Sequence, residues 1–182
     1  MARIPLIDRR EALDEDHRGI YDDIAQSRGR VGGPFVVLLH SPTLAERTSK
    51  LGKYVRFESQ LDRKIIELAA LAGSRELECA HEWAAHVGHA QKAGISLETI
   101  RAIHQRKGPE NFSFEEAQII SCVQELLRSH RVSEATFQAL YARLGEKGLV
   151  ELIATIGYYA MLACTLNAFD VATESPPEDL KI

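Results

Sequence analysis

Apolar residues recur along most of this chain every three or four positions, the periodicity of helices with one buried face. Ile20, Tyr21 and Ile24 predict a first helix over residues 14–27, with Asp14, Glu15 and Asp16 in the turn where the helix dipole favours carboxylates. A Gly- and Pro-containing loop at 28–34 and a short apolar piece at 35–39 follow. Ser41-Pro42 reads as an N-cap with proline at N1, and Leu44, Thr48, Leu51 and Val55 as the inner stripe of a second helix. Asp62 caps a third, in which Ile65, Leu68, Ala69 and Ala72 are expected to be buried with Glu67 beside them, and Gly73-Ser74 marks an expected bend.

A further helix is predicted over residues 78–93, closed by Gly94 as a left-handed C′ residue. Ser96 opens a short helix carrying Leu97, Ile100 and Ile103, which Lys107-Gly108-Pro109 ends. Ser113 and Glu116 form a capping box ahead of Ala117, Ile120, Val123, Gln124 and Leu127. Ser133 caps a helix built on Phe137, Leu140 and Leu144 and closed by Gly145, and the last helix spans 147–169. No stretch alternates apolar and polar residues between hairpin turns, so the chain reads as all-α, with seven or eight helices. A single domain spans residues 1–182, with an extended arm at 1–13 and a polar tail at 170–182.

Composition narrows the function classes. The 22 Lys+Arg against 26 Asp+Glu give a net charge of −4 with no basic run, which argues against a nucleic-acid partner. Residues 152–169 carry no charge, but Thr155, Tyr158, Tyr159, Thr165 and Asn167 fit a helix buried by its own fold or by a neighbouring subunit better than a membrane span. The N-terminus lacks the apolar region of a signal peptide, and the three cysteines have no paired spacing, so a reducing cytoplasm is the expected setting.

The reactive side chains gather in residues 67–94. On a helix over 78–93, Cys79, Glu82, Trp83, His86, Ala90 and Ala93 share one face. A carboxylate and an imidazole one turn apart on an apolar stripe are costly to bury unless they pair or do chemistry. His81 and His86 resemble the zinc-protease pair but are five apart, about 140° around the helix, and His86 with His89 lacks a third ligand, so no metal is expected. Cys79 has no second thiol at 82 and is either a buried hydrophobe or a reactive thiol without a resolving partner. Glu67 reaches the same pocket if its helix packs antiparallel on the next, and Arg75 is placed to hold an anion. These residues alone leave an acid/base site and a structural cluster both open.

Glu67, then Cys79-Ala-His81-Glu82-Trp83-Ala-Ala-His86, then Ala93-Gly94, resembles the carboxymuconolactone decarboxylase and alkylhydroperoxidase D superfamily. Pro34-Phe35, Leu39-His40-Ser41-Pro42, Gly157-Tyr158-Tyr159 and Leu166-Asn167-Ala168 extend the resemblance along the chain. The peroxidase branch has a second cysteine where this chain has Glu82, so the resemblance is to the decarboxylase-like branch. It implies an orthogonal multi-helix bundle assembled as a homotrimer or homohexamer, and a cofactor-free acid/base enzyme acting on a small carboxylated or lactone-type metabolite. In that reading His86 is the proton donor, Glu82 orients it, Glu67 relays or supports, Arg75 holds the carboxylate, and Trp83 and His81 contact the substrate. The alternatives are a peroxidase using Cys79 with an external thiol, and a non-catalytic oligomeric binding protein.

Overall fold

The computed structural model describes residues 2–172 and 178–182. Among these the chain is helical with no strand: α1 (Arg18–Arg28), α2 (Phe35–Leu38), α3 (Pro42–Lys53), α4 (Arg63–Glu76), α5 (Ala80–Lys92), α6 (Leu97–His104), α7 (Phe114–Ser129) and α8 (Glu134–Ala168). Four of the expected side-chain caps form, whereas Ser41 stands at the N-cap position of α3 ahead of Pro42 without a side-chain capping hydrogen bond. Asp62, Ser96 and Ser133 accept from backbone N–H groups of the following turn, and Ser113 and Glu116 close a reciprocal box. Gly94, at φ +83°, ends α5: its N–H bonds to Gln91 O, and Ile95 N–H to Ala90 O.

The organising element is α4, which packs against α5, α7 and α8. Every residue from Ile65 to Ser74 is buried, as expected of a helix enclosed by others, and Ala69, Ala70, Ala72 and Gly73 let those neighbours come close. The bend expected at Gly73-Ser74 is absent. Ser74 satisfies its hydroxyl by bonding back to Ala70 O, and α4 continues to Glu76. The chain turns instead at residues 77–79, where Glu78 takes φ +50°, so α5 begins at Ala80 with Cys79 as its N-cap.

Two stripes differ from expectation. In α3, Ala45, Thr48, Ser49 and Gly52 face inward while Leu44 and Leu51 are exposed. Small residues are needed on that side, because a Cβ at Gly52 would overlap Tyr158 Oη and Arg28 Nη2. The uncharged run of α8, which follows a break at Gly145 (φ +68°), buries Leu152, Thr155, Ile156, Tyr158, Tyr159, Leu162 and Leu166 but leaves Val150, Gly157 and Met161 exposed. The helix is long and apolar enough to cross a membrane, but its buried face forms part of this bundle's core.

Both ends of the chain dock. Ile7 N–H bonds to Val36 O, and Ile7 and Leu13 are buried. The polar tail is only partly so: residues 173–177 lie outside the described residues, but Leu180 is buried and its carbonyl accepts from Trp83 Nε1 at 2.6 Å.

Candidate active site

Glu67, Glu82 and His86 converge. The reversal at residues 77–79 folds α5 back along α4, so that His86 Nδ1–H donates to Glu67 Oε2 at 2.6 Å. On the other side of the ring, His86 Nε2 lies 3.4 Å from Glu82 Oε2, one turn earlier on α5. Glu67 is fully buried, and its second oxygen is met by Arg63 Nη2 at 2.6 Å, a charge contact rather than a directed hydrogen bond. A buried carboxylate with no counter-charge would be prohibitive, and this one has two partners.

The electrostatics follow from that geometry. Burial pulls the His86 pKa down, but the hydrogen bonds and charges of Glu67 and Glu82 override it and lift it to about 9. Burial likewise raises Glu67, yet His86 and Arg63 hold its carboxyl below the ordinary value. At neutral pH the ring is therefore an imidazolium between two carboxyl groups, a charged proton donor.

His86 and Glu82 line a cavity of about 220 Å³; Glu67 stands behind the ring, outside the lining. The other walls come from distant parts of the chain. They are Arg28 at the end of α1, Gly33 and Phe35, Tyr158, Tyr159 and Leu162 of α8, and Arg56. Arg56 sits in a π-helical turn, Tyr54–Glu58, that follows α3. Tyr159 meets the His86 ring edge-on at 4.8 Å between centroids.

The remaining candidates fall elsewhere or in other roles. His81 lines the cavity, and its Nδ1 bonds to Ala172 O at 2.9 Å. Trp83 is not a wall: it is fully buried, tied to Leu180 and packed on His104. Arg75 does not face the site. Its Nε donates to His104 O at 2.7 Å, because the turn after α4 directs it toward α6. Cys79 is buried with Ala163 and Leu166, outside the cavity lining, and burial pushes its thiol to about 11. The lining holds no cysteine. Among the described residues no three His, Cys, Asp or Glu side chains group to hold a metal ion.

Arg28, Arg56 and His89 lining the cavity were not foreseen. Phe35, Tyr158 and Tyr159 lay in segments that carried the family resemblance, which is the signal that pointed to them; Arg28 and Arg56 had none.

Residues 42–111, which include Glu67, Glu82 and His86, match the carboxymuconolactone decarboxylase family. Solved structures similar to the chain include an alkylhydroperoxidase AhpD core, an uncharacterized peroxidase-related protein from Ralstonia eutropha JMP134. It is 16% identical, with a TM-score of 0.75, over 98% of this chain and 94% of that one. The debrominase Bmp8, as a point variant in complex with 2,3,4-tribromopyrrole, is 15% identical with a TM-score of 0.74, over 96% and 92% of the two chains. A peroxidase-related protein from Silicibacter sp. TM1040 is 13% identical with a TM-score of 0.74, over 95% and 94%. No curated protein matches the sequence. At these identities the structures show a shared AhpD-like, all-α fold.

Proposed function

We propose, from the match of residues 42–111 to the carboxymuconolactone decarboxylase family, that this chain is a cofactor-free acid/base enzyme of that family, a carbon–carbon lyase acting on a small carboxylated or lactone-type metabolite. The observation that carries this reading is a charged His86, braced from behind by Glu67, whose Nε2 edge lies beside Glu82 in an arginine-lined cavity.

The chemistry balances without a further group. The substrate carboxylate leaves as carbon dioxide and its bonding electron pair spreads into the conjugated carbonyl of the unsaturated ring. His86 Nε2–H then protonates the carbon, becomes neutral, and regains a proton from solvent. Glu67 keeps the ring oriented and its proton affinity high; the arginines hold the anion. Glu82, 3.4 Å away, is close enough to orient Nε2 yet does not bind it tightly, which leaves the proton available to a substrate atom. A proton donor with a pKa near 9 is charged throughout the neutral range.

The peroxidase alternative is weakened by the burial and raised pKa of Cys79 and by the absence of any thiol in the cavity lining. The homotrimer or homohexamer and the cytoplasmic setting belong to the same proposal. In support of assembly from copies of this chain, Val150, Ala154, Gly157, Met161 and Cys164 follow heptad spacing along one exposed, uncharged face of α8. Light scattering should give a smaller particle for Met161→Glu than for wild type.

The test of function is carbon dioxide release from carboxymuconolactone and related unsaturated lactone acids, with deuterium uptake at the vacated carbon in heavy water. His86→Ala should lose roughly two to four orders of magnitude in turnover with its circular dichroism intact, and Cys79→Ser should not. Turnover that survives His86→Ala, or peroxide consumption that depends on Cys79, overturns the proposal.

A further inference from the structure

Two buried hydrogen-bond donors in the cavity lining have no partner among the described residues. One is Arg28 Nε. Its guanidinium is held in place, with Cζ 4.1 Å above the Phe35 ring and Nη2 donating to Tyr158 Oη at 3.0 Å, yet no protein group accepts from Nε. The missing Cβ at Gly52 is what allows Arg28 and Tyr158 to meet there. The other donor is Tyr159 Oη. Its residue is 5% exposed, its ring is packed between His86 and Tyr158, and its hydroxyl has no partner. Burial and the charge of Glu67 raise the Tyr159 pKa, so the group stays a hydroxyl.

Native structures rarely leave buried donors unmatched, since an unpaired one forfeits the hydrogen bond it had with water. Here both line one cavity, beside the proton donor. A cationic guanidinium fixed in its plane, together with a neutral O–H, complements a planar anion with two acceptor oxygens. The volume of about 220 Å³ is somewhat larger than the roughly 150 Å³ that encloses benzene, so one ring with a carboxylate fits. Phe35, Leu162 and Ala85 supply apolar walls for that ring.

We propose that Arg28 and Tyr159 are the anion-recognition subsite of this cavity, binding the carboxylate of a planar, single-ring ligand whose ring carbon then faces His86. This gives Arg28 the role that Arg75 cannot play, and it rests on reading the cavity as a substrate site.

Isothermal titration with 2-furoate, and with neutral 2-furamide for comparison, tests it. Wild type should bind furoate and discriminate against the amide. Tyr159→Phe, which keeps the ring, and Arg28→Lys, which keeps the charge but not the planar fork, should each weaken furoate at least about tenfold. Arg75→Gln should bind as wild type does. Absence of furoate binding, failure to discriminate against the amide, or wild-type affinity in Tyr159→Phe overturns the subsite. Calorimetry needs no turnover, so an inactive protein that binds furoate in this pattern sinks the proposed reaction while leaving the subsite standing. A reaction whose KM is unmoved by both substitutions does the reverse.

Discussion

Replacing Glu67 by Gln tests the balance that keeps His86 charged. A pKa of about 9 against the ordinary 6.5 corresponds to about 3 kcal/mol in favour of the buried imidazolium. The folded value lies above the unfolded one, so this stabilisation is present in full below about pH 6.5. It is lost progressively as pH rises and is nearly gone by about pH 9. Glu67 has the opposite sign. Its carboxyl is held below the ordinary value, so its contribution is present at neutral pH and is lost on acidification. Both shifts describe one contact, and their energies are not additive.

Glu67→Gln preserves shape and an acceptor for Nδ1–H but removes the charge that offsets burial. Glu82, at 3.4 Å, then acts on the ring alone. The His86 midpoint, followed by the ring proton shifts in NMR, should fall by at least about one pH unit. Urea unfolding at pH 6, 7.5 and 9.5 gives the second readout: wild type should lose about 3 kcal/mol more than His86→Gln across that range. A wild-type midpoint at or below 6.5, or the same midpoint in Glu67→Gln, refutes the reasoning.

Other outcomes follow from single contacts. Gly52→Ala forces a methyl group against Tyr158 Oη and Arg28 Nη2, and thermal unfolding should report a loss of about 1–3 kcal/mol, whereas Gly88→Ala, with open space at its Cβ, should not destabilise. An aromatic disulfide reagent at pH 8 should label Cys79 and Cys122, both buried with thiols pushed to about 11, only on unfolding; rapid native labelling of Cys79 would contradict its placement. Trp83 is the single tryptophan, so deleting residues 178–182 should shift its emission to the red, and an unchanged spectrum would mean the tail does not dock as described.

What could be read from the sequence was what is decided locally. The caps at Asp62, Ser96, Ser113 and Ser133 and the stop at Gly94 each depend on residues within four positions, and all formed. Glu82 and His86 belong to the same face of one helix, so their pairing follows from the rise and turn of α5. Glu67 is nineteen residues from His86, and its approach required only that the next helix fold back. The inner face of α3 was misread because the side that turns inward is set by a partner far along the chain: Tyr158 needs the space beside Gly52, which leaves Leu44 and Leu51 outside. Arg75 failed for a related reason, since sequence proximity to the site says nothing about which carbonyl a long side chain finds, and His104 O was nearer. The cation that replaces it comes from the end of α1 and is positioned by Phe35 and Tyr158, 130 residues apart from Arg28 in the second case. The proton-transfer pair is thus written into one helix, while the groups that select the ligand are brought together only by tertiary packing. Relatives with the same helix can therefore keep the acid/base pair and still differ in substrate, and the residues to compare among them are those at Arg28, Gly52 and Tyr159.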